Sequence, residues 1–242
     1  MMKLDELYEL VKTLREKCPW DKTQTIDTLK NKVIEESYEL VDAISENSTE
    51  AIAEEIGDVL FLSLFLVRIL EEEGRTKLDV LVNSALDKYR KKHPHVFESK
   101  DLKDAHEVLE FWHKSKGDIF AGIPEILPAL LAAKVIQERA ARVGFDWDTR
   151  SGPLEKVREE VGEVEKSEEA ARGEELGDLL FACVNLARHM GVDPEEALRS
   201  ANRKFVRRFR KVLEVLKKQG KDLDKAGLVE MDAIWDGLKR EE

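Results

Sequence analysis

The chain is predicted to be all-α, a tandem repeat of two related helical domains. Composition, periodicity and internal similarity all point there. Of 242 residues, 42% are hydrophobic and 38% are charged, a balance typical of amphipathic helices with one solvated face. Six prolines, thirteen glycines and few alternating β-branched runs leave little room for strands. The third observation is that the sequence repeats itself in order.

The blocks of that repeat run the length of the chain. EESYELVDAI (35–44) is echoed by EEVGEVEKSE (159–168), and AEEIGDVLFLSLFLVRIL (53–70) by GEELGDLLFACVNLARHM (173–190). ALDKYRKKH (85–93) aligns with ANRKFVRRF (201–209), Trp112 and Lys116 are spaced like Trp235 and Lys239, and Pro19-Trp20-Asp21 resembles Asp146-Trp147-Asp148. The offset drifts from 124 (Glu36 to Glu160) through 120 (Asp58 to Asp178) to 116 (Lys88 to Lys204), as unequal loops in a duplication would produce. The boundary is placed in GDIFAGIPEILP (117–128), giving domains 1–118 and 119–242 of ordinary size.

Apolar spacing predicts helices over 4–17, 27–46, 49–73, 77–93 and 104–116, then 127–143, 152–171, 173–190, 194–218 and 228–240. Asn47-Ser48-Thr49 separates the second helix from the third, with Ser48 or Thr49 as N-cap; Gly74 and Pro94 end the third and fourth. Pro153 sits near a helix start, and Asp193-Pro194 is an N-cap followed by a first-turn proline. Short connections between antiparallel helices imply four-helix-bundle-like cores.

Charge excludes several functions. A net charge of −11 argues against binding duplex nucleic acid but allows an anionic substrate bridged by a cation. Neither GxxxxGK[ST] nor GxGxxG occurs. Cys18 and Cys183 are far apart and in no CxxC pattern, which suggests reduced thiols and a cytoplasmic protein. The first residues carry charges throughout and no apolar leader core, and the apolar run 59–70 is too short to span a bilayer, so no membrane partner is expected.

The chemistry lies in two carboxylate clusters, Glu35, Glu36, Glu39, Glu55 and Asp58, then Glu159, Glu160, Glu163, Glu175 and Asp178. Residues three or four apart share a helix face, so EExxE and ExxD each present a pair, and adjacent packed helices bring the pairs together. Crowded carboxylates next to an apolar stripe repel and are costly to bury unless a cation joins them; oxygen-only donors suit Mg²⁺, with Mn²⁺ able to substitute. With 51 acidic residues, one EExxE is as readily a solvated face, but recurrence of both motifs in both halves favours a site. A di-iron site would want Glu-x-x-His, and no histidine stands in such a place. Lys88 and Lys92 share a helix face, as do Lys204 and Arg208; either pair alone is more readily a solvated basic face, but recurrence at matching places favours a role in holding phosphate oxygens. Trp112 and Trp235 are either core residues or platforms for a nucleobase.

CPWDKTQT (18–25), EESYELVDAI, EEIGDVLF, KKHPHVF (91–97), GFDW (144–147), EELGDLLFACVNLARH and ANRKFVRRF together resemble the MazG family of all-α nucleoside triphosphate pyrophosphohydrolases over nearly the whole chain. One departure is Ile26, where that family has histidine after CPWDKTQT. The resemblance implies hydrolysis of ribo- and deoxyribonucleoside triphosphates to monophosphate and pyrophosphate with Mg²⁺, broad base tolerance, and a homodimer whose bundles are completed by the partner. On that reading Glu36, Glu39, Glu55 and Asp58, and Glu160, Glu163, Glu175 and Asp178, hold metal. Glu35 and Glu159 position or deprotonate the attacking water. Lys88, Lys92, Lys204 and Arg208 hold the triphosphate, and Trp235 with Lys239 reaches the nucleoside, Trp112 and Lys116 being their counterparts. The alternatives are a narrower enzyme for dUTP- or dCTP-like substrates, or a helical interaction module in which one or both sites are inactive.

Overall fold

The computed structural model describes residues 3–98, 102, 104, 107–108, 111–112, 117–221 and 226–240. Among them every regular element is helical. The chain separates into two compact units, Met1–Lys103 and Asp104–Glu242.

The first unit opens with α1 (Lys3–Lys17), followed by a 3-10 turn at Asp21–Thr23. Next come α2 (Ile26–Glu46), α3 (Thr49–Glu72), α4 (Leu78–Lys92) and a single helical turn, α5 (Pro94–Phe97). Local chemistry sets these limits. Thr25 and Thr28 exchange hydrogen bonds at the start of α2, each hydroxyl accepting from the other's backbone N–H (3.2 and 2.8 Å). Asn47 takes the left-handed conformation that ends α2, and Ser48 Oγ accepts from the Ala51 N–H at 3.3 Å to open α3. At the end of α3, Gly74 has φ +67°, which lets the Arg75 N–H reach back to the Leu70 carbonyl at 2.9 Å.

α3 is the central helix of this unit, with α1, α2 and α4 packed on it. Its apolar run supplies Leu62, Leu64, Phe65 and Ile69 to a cluster completed by Tyr8, Val11 and Leu29. Arg15 ties the loop after α1 to this helix, donating to Glu72 at 2.5 Å and to the carbonyls of Asp21 and Gln24.

The second unit repeats the plan with α6 (Ala129–Arg142), α7 (Ser151–Lys166), α8 (Arg172–His189), α9 (Pro194–Lys218) and α10 (Leu228–Arg240). α6 and α7 pack on α8, α9 lies against α6 and α8, and α10 packs on α9. Asp193 caps α9 through the Glu196 N–H at 3.0 Å, with Pro194 in its first turn.

Two boundaries differ from the sequence reading. The helix expected over 152–171 stops at Lys166, because Ser167 turns extended (φ −65°, ψ 141°) with its hydroxyl donating back to the Val164 carbonyl. Pro94 ends the fourth helix as expected but then starts the extra turn α5. Most of the helix expected over 104–116, including Lys116, lies outside the described residues.

Phe65 is 2% exposed in the first unit's core. Replacing it with alanine should cost about 3–5 kcal/mol, read as a lower urea midpoint for loss of that unit's helical signal.

Candidate metal and nucleotide site

Each carboxylate cluster sits where two packed antiparallel helices meet. In the first unit, α2 carries Glu36 inward, 7% exposed, against Glu55 and Asp58 from the start of α3. One carboxyl oxygen from each of the three lies within 4.8 Å of the others. The second unit brings Glu160 (3% exposed) and Glu163 of α7 together with Glu175 of α8 within the same span. Glu39 and Asp178 stand beside these groups. Glu39 faces Glu36 and Glu55, and Asp178 lines a cavity with Glu160.

The electrostatics are those of crowded acids. Desolvation raises the Glu55 carboxyl above its ordinary pKa, and the charges of Glu39, Asp58 and Glu36 push it further. Glu39 is raised by desolvation and by Glu36. Glu163 is raised by the close approach of the Glu160 carboxylate, which is itself held low chiefly by a hydrogen bond from Lys156. Buried Oε2 atoms of Glu36, Glu55 and Glu160 have no hydrogen-bond partner. Carboxylate oxygens turned inward without a donor, in an oxygen-only set, fit a hard divalent cation.

One residue type escaped the sequence reading. Lys32 Nζ lies 2.8 Å from Glu36 and 3.2 Å from Glu35. Lys156 Nζ lies 2.6 Å from Glu160 and 2.9 Å from Glu159. Both lysines are held charged to well above their ordinary pKa, first by the hydrogen bond to the buried glutamate. The signal was available: a lysine four residues before the buried glutamate recurs with the 124-residue offset of the glutamates themselves. Glu35 and Glu159, the expected water-positioning residues, are the exposed partners of these lysines.

The basic and aromatic candidates lie on other helices. Lys88 and Lys92 flank the Tyr89 ring on α4, with ammonium-to-centroid distances of 5.9 and 5.7 Å. Lys204 and Arg208 are on α9, where the Arg208 guanidinium lies 5.7 Å from the centroid of Trp235, whose ring is also 5.2 Å from Phe205. Lys239 is in the last turn of α10.

Beside Glu160 and Asp178 the second unit holds a cavity of about 620 Å³, walled by Phe120, Phe145, Trp147 and Phe181. Trp147 lies so close to Gly152 that a Cβ there would stand 2.1 Å from the indole; only glycine admits the ring. Behind it, Arg188 donates to both Asp146 oxygens (2.9 and 2.6 Å) and to Asn185 Oδ1, and His189 Nε2 lies 2.8 Å from Asp146. Sequence reasoning saw Trp147 and Arg188 only as parts of repeated motifs.

The sequence profile of the MazG nucleotide pyrophosphohydrolase domain matches residues 24–97 and again 149–213, covering both helix pairs that carry the carboxylates. A nucleoside triphosphate pyrophosphohydrolase of Escherichia coli (strain K12) is 39% identical over 100% of this chain and 99% of its own length. The nucleoside triphosphate pyrophosphohydrolase/pyrophosphatase MazG of Thermotoga maritima is 38% identical over 97% of this chain and 95% of its own. An uncharacterized Bacillus subtilis protein, YabN, is 40% identical over 93% of this chain but only 49% of its own length. The protein is thus a two-unit helical protein with a carboxylate cluster in each unit. The chain belongs to the MazG nucleotide pyrophosphohydrolase family.

The Asp146–Arg188 contact gives a pH prediction. The hydrogen bond from Arg188, with that from His189, holds the Asp146 carboxyl far below its ordinary range. A depressed carboxylate contributes stability that is complete above its unfolded pKa and is lost as pH falls toward the folded one. Asp146→Asn should therefore lower the Tm most above about pH 5, and the gap from wild type should close progressively below about pH 4.

Proposed function

We propose that this protein hydrolyses ribo- and deoxyribonucleoside triphosphates at the α-phosphorus, releasing monophosphate and pyrophosphate, with Mg²⁺ as the preferred cation, Mn²⁺ as a substitute and broad tolerance of base. The observation that carries this reading is the buried, partnerless carboxylate oxygens at matching places in both units of a MazG-family chain. Relatives named nucleoside triphosphate pyrophosphohydrolase, similar over their whole length, support the substrate class.

Glu36, Glu39, Glu55 and Asp58 would hold the cation in the first unit, and Glu160, Glu163, Glu175 and Asp178 in the second. A divalent cation there supplies charge neutralisation at phosphate oxygens and acidifies water. The chain's own residues do the rest. Glu35 and Glu159 orient the attacking water and accept its proton. Lys32 and Lys156 each hold one oxygen of Glu36 and Glu160 and leave the other free for the cation. Lys88, Lys92, Lys204 and Arg208 steady the triphosphate and the leaving pyrophosphate. Trp235 and Lys239 reach the nucleoside from α10, with Trp112 and Lys116 as their counterparts.

The same reading includes a homodimer. Val33, Ile34, Val41 and Ile44 on α2, with Ile56 and Leu60 on α3, are 37–55% exposed, an apolar surface of the kind a partner covers. No helix among the described residues is long and apolar enough to cross a membrane. Sedimentation at micromolar concentration should give twice the chain mass of 27.7 kDa. A monomer would remove the dimer from this reading.

Product analysis across a panel of triphosphates tests the reaction. Monophosphate plus pyrophosphate, abolished by chelator, is expected; diphosphate plus orthophosphate would place attack at the γ-phosphorus and overturn the proposal. Glu160→Gln should lower kcat in the second unit about a hundred-fold or more, and Glu36→Gln reports the first unit's share.

A further inference from the structure

One wall of the second unit's cavity belongs to none of its helices. Phe120 comes from residues 117–123, ahead of α6, whereas the other lining residues come from α6, α7, α8 and the loop 145–147. The segment turns twice on itself. The Phe120 N–H donates to Asp118 Oδ1 at 2.8 Å, and the Ala121 N–H donates to the Asp118 carbonyl at 3.2 Å. The Ile123 N–H then donates to the Phe120 carbonyl at 3.3 Å, across Gly122 with its φ of +74°.

Those bonds shape the turns but do not fasten them to the unit. Arg139 of α6 does so: its Nη1 donates to the carbonyls of Ile119 and of Ala121, both at 2.9 Å. The two N–H bonds of one guanidinium nitrogen thus grip the peptide on either side of Phe120. Bonds from a charged donor are among the stronger ones a surface segment makes. The segment is otherwise thinly held, since Gly117, Asp118, Phe120, Ala121 and Gly122 are all exposed. Exposed turns with a glycine at a bend open locally at little cost.

Resting on the function proposed above, we propose that residues 117–123 form a strap that closes the second unit's site over bound triphosphate, and that Arg139 is the positioning residue that holds it shut. With the clamp made, Phe120 completes the cavity that Glu160 and Asp178 also line. With it released, the strap swings at Gly117 and Gly122 and the cavity opens to water. Arg139 touches neither substrate nor cation; it acts through Phe120. Such closure retains the substrate and shields the reacting phosphate from bulk water. A strap shut only a tenth of the time would raise the apparent constant for substrate about ten-fold.

Two substitutions at different atoms should therefore give one phenotype. Arg139→Met removes both hydrogen bonds and leaves the ring; Phe120→Ala removes the ring and leaves the carbonyls. In the full chain with the first unit silenced by Glu36→Gln, each should raise KM for ATP about ten-fold with kcat changed by less than about two-fold. The double substitution should raise KM no further than either alone, because both act through the same wall. Arg139→Lys, which keeps the charge and a donor, should recover part of the loss. Hydrogen exchange without nucleotide separates strap release from unfolding. Amides of 117–123 should exchange about ten-fold faster in Arg139→Met than in wild type, with α6, α7 and α8 unchanged. Equal exchange in the two proteins, a wild-type KM in Phe120→Ala, or additive effects in the double substitution would overturn the strap. If the wild type released pyrophosphate from no triphosphate, the hydrolytic reading would fall; faster exchange in Arg139→Met would still uphold the strap, and equal exchange would still remove it.

Discussion

Everything at the candidate site follows from setting carboxylates into the seam between two packed helices. Glu36 and Glu160 are nearly enclosed, yet each has acidic neighbours from its own helix and the next. Such an arrangement is unfavourable alone, since desolvation and like charge both oppose ionisation. Lys32 and Lys156, one turn earlier, relieve part of the repulsion, but each satisfies only one oxygen of the buried glutamate. The inward oxygens remain for a cation. The apolar runs of α3 and α8 hold the acids in place, because the helix that carries ExxD at its start carries the core just beyond it.

The same frame has been put to two uses. In the first unit the region below the acids is solid hydrocarbon, and Arg15 spends its guanidinium tying the leader loop to Glu72. In the second, the arginine at the end of the core helix, Arg188, binds Asp146 of the leader and Asn185 of its own helix. Arg188 and its repeat counterpart Arg68 thus take different partners, Arg68 pairing with Glu71 and Glu72. The conserved outline of the repeat conceals this change, because it lies at Leu62/Ala182 and Phe65/Asn185, positions that differ while the motif around them is kept.

Much of this was legible in the sequence for definite reasons. Helix starts at Ser48 and Asp193 and the stop at Gly74 are local events, settled by side chains within a turn. The pairing of EExxE with ExxD was readable because helical spacing and recurrence act together. Lys32 and Lys156 repeat as faithfully, but a lysine on a charged helix face carries no signature until its pairing with a buried glutamate is seen. Gln137 was not legible at all. A lone glutamine on an amphipathic helix reads as surface, and only the tertiary placement of α6 on α8 shows that its amide is buried. The end of α7 at Lys166 was missed because charged residues beyond it continue a helix-compatible composition.

Both amides on the cavity wall are anchored at one end, Gln137 by a backbone carbonyl and Asn185 by a guanidinium. A free carboxamide can rotate and exchange donor for acceptor, which makes it indifferent to the polarity of what it meets. These two lack that freedom. The cavity of about 620 Å³ therefore presents a wall whose polarity is set before anything enters it.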